Sequence, residues 1–421
     1  MTTATYNVQT IAGVNKIWRK VQGDVQDGAQ FISEEWQNLD ELPEYEIDWS
    51  GREITVPIDI NDDFGIASIP DGGYEARPGS PNAEEITLTW VTLNGRFSVS
   101  KMSKWIDQKK RAAMIERQIV FQGKKKLQAL GRRFSEYFYG FPNATVAKTS
   151  TIATQASGVY TLLDAYGVSG LGPVTNAFNV ANFFTVGDYV ALIRASALVA
   201  NAIGNITAIT PATPSITVTW LGSVTSANGD SVVFANSMEN TTIAGTDFNA
   251  GPEGLLSMMT STSVHSLSSA SVARWAPGYT TTTAGRFTGI TLRKMKQGIY
   301  NGGDGTLDRV LWSNGIENDL VAAQLSALRF SDPFGMEIDG SVKAKGVKFM
   351  TSRRVPNGFV FAWDRRGVRK MTLLSKPGAP SWDDGEKIPD RSGYVFPVDF
   401  PYALVTTNRK RLAYASNQTE Q

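Results

Sequence analysis

One histidine and no cysteine occur among the 421 residues, and those two counts remove most of the side-chain chemistry a protein can do. Without cysteine there is no disulfide, thiolate metal site or thiol nucleophile. With His265 alone, a His-x-x-x-His metal pair cannot form, and any Ser-His-Asp triad would have to pass through that one side chain. His265 lies in SVHSLSSAS, a small polar stretch with no carboxylate near it in sequence, and reads as a structural or surface histidine. The chain has no G-x-S-x-G elbow, no Walker A loop and no G-x-G-x-x-G. Gly302-Gly303-Asp304-Gly305 lacks the alternating Asp/Asn ligands and closing Glu of a calcium loop, so it reads as a turn. Adjacent acids such as Asp383-Asp384 establish no convergent pair. The expectation is a protein without cofactor or metal, and not an enzyme.

The ionisable residues are instead laid out in blocks. From Val21 to Ser100 there is no lysine and there are three arginines, against 17 acidic residues that include Glu44, Glu46, Asp48, Asp62, Asp63, Glu84 and Glu85. The sign then reverses. Between Lys101 and Arg133, 11 basic residues, among them Lys104, Lys109, Lys110, Arg111 and Arg117, face only Asp107 and Glu116. Two readings stand side by side: the blocks neutralise each other within one chain, or the acidic arm of one copy lies on the basic helix of another. A third block, Arg353, Arg354, Arg365, Arg366, Arg369 and Lys370, offers contact with nucleic acid or with a neighbour's acids, and the second is favoured. Net charge is only +1, so there is no general pull toward a polyanion or a membrane surface.

The elements that carry these blocks follow from periodicity. GREITVPIDI and EITLTWVTLNGRFSVS read as two long strands, with Ile86, Leu88 and Trp90 on one face of the second. The Pro- and Gly-rich IASIPDGGYEARPGSPNAE joins them into a large hairpin, which is marginal alone in water and needs a surface to lie on; that favours a partner subunit. After Ser103, apolar residues recur at Ile106, Ala113, Val120, Leu127 and Phe134, beside a second row of Trp105, Ala112 and Ile119. This predicts a helix of about 30 residues, roughly 45 Å long, interrupted at Gly123 and Gly131. From Ser150 to Gly245 charge nearly vanishes. FFTVGDYVALI, NAIGNITAIT, SITVTWLG and NGDSVVF then suggest four or five short strands closing a small barrel. RFTGITLRKMKQGIYNGG reads as a helix ended by glycines, DRVLWSN as a strand and NDLVAAQLSALRF as an amphipathic helix. Strands follow in SVKAKGVKFMTS, GFVFAWD, VRKMTLL and GYVFPVDFPYALVTTNRKRLAYAS, so the class is α+β. MTTATYNVQT does not read as a signal peptide, and no segment reads as a membrane span.

The order of these parts resembles the major capsid proteins of tailed bacteriophages. In that family an N-terminal arm is followed by a long β-hairpin (the E-loop), a spine helix, a peripheral P-domain and an axial A-domain. IPDGGYEARPGS resembles the E-loop tip and GRFSVSKM its exit into the spine. DRVLWSNGIENDLVAAQLSALRF and VKFMTSRRVPNGFVFAWDRRGVRKMTL resemble A-domain segments. The resemblance implies an arm at 1–50, an E-loop at 51–100, and the spine with the first part of the P-domain at 101–182. It further implies an inserted barrel at 183–236, more P-domain at 237–302, an A-domain at 303–385 and returning strands at 386–421. The implied function is a shell subunit that assembles as hexamers and pentamers into an icosahedral head around double-stranded DNA. Implied partners are the chain itself, portal, scaffolding and possible cement proteins, and packaged DNA non-specifically; assembly would take place in the host cytoplasm, with no membrane.

Gly51–Ser100 holds no lysine, so the E-loop lysine crosslink of one variant of the family is not expected. The fused scaffolding helix of other members is missing, which implies a separate scaffold or none. The alternatives are an encapsulin-like compartment, a phage tail or baseplate protein, and a carboxylate-dependent polysaccharide hydrolase.

Overall fold

The computed structural model describes residues 34–42, 48–50, 53–59, 83–89, 91–100, 113–140, 145–167, 174–175, 178–195, 197–235, 253–320, 346–352, 354–372, 381–382, 386–387 and 393–419. They form two compact units. The first takes the described parts of Met1–Leu39, Trp90–Glu136 and Lys370–Ala403; the second takes those of Asp40–Thr89, Tyr137–Arg369 and Leu404–Gln421. The class is α+β, as the sequence pattern indicates.

In the second unit, β1 (Asp48–Ser50), β2 (Glu53–Asp59) and β3 (Ala83–Thr89) form an antiparallel sheet. β2 and β3 pair from Glu53↔Thr89 to Asp59↔Ala83, which is the expected hairpin. Alternation places Val56, Ile58, Ile86 and Leu88 on one face, and all four are buried. The base of the hairpin therefore covers its apolar face within its own chain and does not wait for a partner to do so. The single long strand expected through Ser100 is two strands: β3 ends at Thr89, and β4 (Val91–Ser100) joins a different sheet.

Helix α1 (Ala113–Tyr139) is the described part of the expected spine; residues 101–112 lie outside the described residues. Its buried stripe is Ile119, Leu127, Leu130, Phe134 and Phe138. Val120 is only half-buried, so the stripe follows the 3.6-residue period and drifts off the heptad read from the sequence. Gly123 and Gly131 do not interrupt the helix. Both are buried within it.

The barrel is built from β5 (Ala147–Thr149), β6 (Ile152–Ala165), β7 (Tyr189–Arg194), β8 (Ala197–Thr210), β9 (Ser215–Ser226) and β10 (Asp230–Phe234). The order β7-β8-β9-β6-β5-β10 closes through β10 pairing β7, and closure leaves no free sheet edge. The sequence placed the barrel at 183–236 with four or five strands; the structure begins it at Ala147 and uses six. β6 escaped notice because Thr, Gln, Ser and Gly dominate its first half, and only Tyr160 and Leu162 carry the inward pattern. Inside the barrel, Trp220 Nε1 donates to Tyr160 Oη at 2.7 Å. The turns expected at Gly187 and Gly229 have φ of +98° and +90°. Asp188 and Asp230 fix them by accepting the N–H groups of Thr185 at 2.8 Å and Ala227 at 2.7 Å.

The rest of the second unit contains α2 (Leu255–Thr260), β11 (Ser263–Val264), β12 (Leu267–Ser268), β13 (Tyr279–Thr281), α3 (Gly289–Gly303), β14 (Arg309–Trp312), β15 (Lys348–Thr351) and β16 (Val360–Trp363). β17 (Arg369–Thr372), β18 (Gly393–Val405) and β19 (Leu412–Ala415) complete the chain's main strands. A mixed sheet of order β13-β19-β16-β14-β15 receives α3 on a core of Met295, Ile299, Val310, Trp312, Val360 and Ala413. Gly298 and Gly278 make this contact possible, since a Cβ on Gly298 would stand 2.7 Å from the Gly278 carbonyl oxygen. The glycines expected to end α3 lie within it; Asp304, at φ +48°, ends it.

In the first unit, β4 pairs antiparallel with β18 from Val91↔Tyr402 to Ser100↔Gly393. Leu93, Phe97 and Val99 of β4, with Phe396, Val398, Phe400 and Tyr402 of β18, are buried, and the Phe97 and Phe396 rings stack at 5.1 Å. The centre of this unit is Trp36, carried on a single helical turn, Glu34–Gln37. Its ring is edge-on to Phe134 at 5.0 Å, to Phe400 at 5.0 Å and to Tyr402 at 6.0 Å. Lys370 Nζ stands 4.8 Å from the same ring and donates to the Trp36 carbonyl at 3.1 Å. Ser135 Oγ donates to the buried Glu35 carboxylate at 3.2 Å. Among the described residues no helix is long and apolar enough to cross a membrane.

Trp36→Ala removes the ring at 2% exposure that three aromatics and Lys370 surround. Urea unfolding should show a loss of about 3–5 kcal/mol; a loss below about 1 kcal/mol would mean that the turn is not anchored.

Candidate subunit interface

The acidic block enters the described structure at Glu34, Glu35, Asp40, Glu41, Asp48, Glu53, Asp59, Glu84 and Glu85. Asp40 makes ion pairs in cis: Arg309 Nη2 lies 3.1 Å from its Oδ1, and Arg365 Nε bonds its Oδ2. Asp48 lies in β1. Glu84 and Glu85 stand exposed on β3, opposite Ile58 and Pro57. Glu44, Glu46, Asp62 and Asp63 fall outside the described residues.

Of the basic block, Lys104, Lys109, Lys110 and Arg111 also fall outside, and Arg117 is placed only as a position in α1. Farther along α1, Phe121 is 62% exposed with Lys125 Nζ 5.9 Å from its ring centroid, and Arg133 pairs with Glu136 at 3.0 Å.

The third block is dispersed rather than gathered into one patch. Arg353 is outside the described residues. Arg354 is half-buried, and its carbonyl accepts from Tyr166 Oη at 2.9 Å. Arg365 spends its charge on Asp40, which raises its pKa through that hydrogen bond and charge. Arg366 is exposed. Arg369 and Lys370 are buried. Sequence proximity suggested one cationic surface; of its described members Arg365 and Arg366 are exposed, while Arg369 and Lys370 are buried.

Sequence reasoning missed a buried polar anchor in the second unit. Arg409, 1% exposed, donates from Nε to the Met258 carbonyl, from Nη1 to that of Trp275 and from Nη2 to that of Ser261, each at 2.8 Å. Two of these carbonyls lie at or just past the C-terminal end of α2, where the helix dipole favours a cation. Burial lowers the Arg409 pKa to about 10, against the pull of Glu253, and the side chain remains cationic at neutral pH.

His265 joins the same region. It and Ser266 occupy the two-residue turn between β11 and β12 with φ of +49° and +67°, a conformation that favours Gly or Asn. Glu253 holds the turn: its Oε2 accepts the His265 backbone N–H at 2.9 Å and lies 2.9 Å from Nδ1. Nε2 accepts the Thr406 N–H at 3.2 Å, which places the imidazole proton on Nδ1. The carboxylate partner that SVHSLSSAS lacks locally thus comes from 12 residues upstream. Both ring nitrogens are committed to structure. Among the described residues no group of three or more His, Asp or Glu could hold a metal ion.

Arg409→Lys keeps the charge but cannot fork onto three carbonyls. Denaturant titration should show a loss of about 3 kcal/mol or more; a change within 0.5 kcal/mol or so would show that the carbonyls find other donors.

No family model matches the sequence, and no curated protein matches it. Among solved structures the chain is similar to the Cyanophage A-1(L) capsid, with 9% identity, 91% of each chain covered and a TM-score of 0.49. It is also similar to a chain from Gordonia phage Cozz, with 9% identity, 91% of this chain and 86% of that one, and a TM-score of 0.44. The capsid of a native GTA particle gives 9% identity, 91% and 89% coverage, and a TM-score of 0.44. At this identity the similarity is one of chain path and carries no residue-by-residue correspondence.

Proposed function

We propose that this chain is a structural shell subunit of the tailed-phage major capsid protein type, which closes an icosahedral head around double-stranded DNA. The observation that carries the reading is the succession of parts in one polypeptide. An anchored arm turn leads to hairpin β2–β3, then to the 27-residue α1, then to the inserted barrel and the five-stranded mixed sheet; β18 finally returns to β4. Shells close because identical subunits repeat heterologous contacts around symmetry axes, as pentamers and hexamers here.

Extended parts suit that role. A contact of standard size buries about 1,600 Å² in total. Its gross hydrophobic gain of some tens of kcal/mol is mostly offset by ordering and desolvation. Opposed charge blocks then set register and partner choice more than affinity. The arm's acids ahead of Glu44 meeting the basic face of a neighbour's helix at Lys104, Lys109, Lys110, Arg111 and Arg117 is the contact this reading favours. Portal, scaffolding and cement proteins would be the remaining partners.

Reversing Lys109, Lys110 and Arg111 to Glu should leave the far-ultraviolet circular dichroism unchanged and lower the yield of fast-sedimenting assemblies at least tenfold. Parental yield would remove the arm-on-helix contact.

A further inference from the structure

The chain carries a second basic surface that the three sequence blocks do not include. From Glu253 to Asp304 no acidic residue intervenes, and Arg274, Arg286, Arg293, Lys294 and Lys296 fall in that interval. Three of them are on α3. The helix buries Met295, Ile299 and Gly303 against the mixed sheet. Its opposite side presents Ile290, Arg293, Lys294, Gln297 and Tyr300 at i, i+3, i+4, i+7 and i+10, with Lys296 at the margin. Among the described residues none of Arg293, Lys294 and Lys296 is in an ion pair.

Two large apolar side chains bracket these cations. Ile290 is 66% exposed and Tyr300 64%, two of six such exposed residues among those described. Cations alone would serve a nucleic-acid backbone. Isoleucine and tyrosine held in solvent beside them are the makings of a protein contact. Where the helix ends, a cavity of about 420 Å³ opens beside Tyr300, with Leu267, Val272 and Trp275 in its wall. Its rim carries Arg274 and Lys410 against Asp304. The complementary segment is in the same sequence: Glu44-Tyr45-Glu46-Ile47-Asp48 alternates acids with apolar residues of a size the cavity accepts.

We propose that the outer face of α3 and the cavity at its end are a subunit interface that takes the acidic segment Glu44–Asp48 of a second copy of this chain. This rests on the shell-subunit reading and adds to it a particular surface. Acids meet Arg293, Lys294 and Lys296, and Tyr45 or Ile47 enters the cavity on its Leu267, Val272 and Trp275 side. One such contact per copy, repeated head to tail, propagates around a ring.

The test uses the full chain with Arg293→Glu, Lys294→Glu and Lys296→Glu together, and the same triple variant with Glu44→Lys and Glu46→Lys added. Circular dichroism and a thermal melt check the fold; sedimentation velocity and negative-stain imaging read assembly. The triple variant should melt like the parent and assemble at least tenfold less, and the combined variant should recover at least half of the parental yield. Parental assembly by the triple variant overturns the proposal and leaves the shell reading in place, including when that variant loses only bound DNA. Loss without recovery in the combined variant assigns the α3 face to another partner and also overturns the proposal. A parent that never assembles overturns the shell reading and the proposal with it.

Discussion

Trp36 is the residue on which the first unit is built, and it would be the point of attachment for the proposed arm. Its ring closes an aromatic cluster with Phe134, Phe400 and Tyr402, drawn from the helix and from the returning strand. Lys370 lies over the indole and also takes up the Trp36 carbonyl, so one cation secures both ring and backbone. Three residues farther on, Leu39 is buried, and Asp40 is then taken by Arg309 and Arg365. A segment tied this closely to its own chain has a defined point of departure. That lowers the ordering cost of any contact the flanking sequence makes with a neighbour.

Charge is the second organising constraint. A chain with a net charge of +1 could have mixed its signs evenly, yet residues 21–100 hold 17 acids against three arginines and residues 101–133 hold 11 cations against two acids. The barrel that follows them carries almost none, and its six strands close on themselves so that no edge is offered for pairing. Where acid and base do meet among the described residues, the contacts are local fasteners: Arg194 on Asp230 inside the barrel, Arg365 on Asp40, Arg286 on Asp319. The larger imbalance is what the proposed contacts between copies would draw on.

Much of the architecture was legible in the sequence because it follows from periodicity. Alternation in GREITVPIDI and at Ile86 and Leu88 identified the hairpin, and the apolar rows that carry Leu127 and Phe134 and, beside them, Ile119 identified the helix. What was not legible depends on residues distant in sequence. His265 lacked a local carboxylate and found Glu253; Arg409 had no visible partner because its partners are backbone carbonyls. The six arginines and lysines around Arg365 looked like one patch because nothing in their spacing reveals that Lys370 turns inward to Trp36. β6 was missed because a barrel strand rich in Thr, Ser and Gly has too few large apolar residues to show its period. For the same reason the α3 face was not singled out: its cations sit in a helix read for its core side, and only the solvent side shows Ile290 and Tyr300 bracketing them.

The most direct measurement is cryo-electron microscopy of the full-length chain, purified alone and after co-expression with its neighbouring genes. Closed icosahedral particles are expected, with five- and six-fold clusters in which one copy's arm and hairpin cross a neighbour and the barrel is resolved as a separate lobe. A monodisperse monomer under every condition, or particles in which arm and hairpin contact only their own subunit, would contradict the central claim.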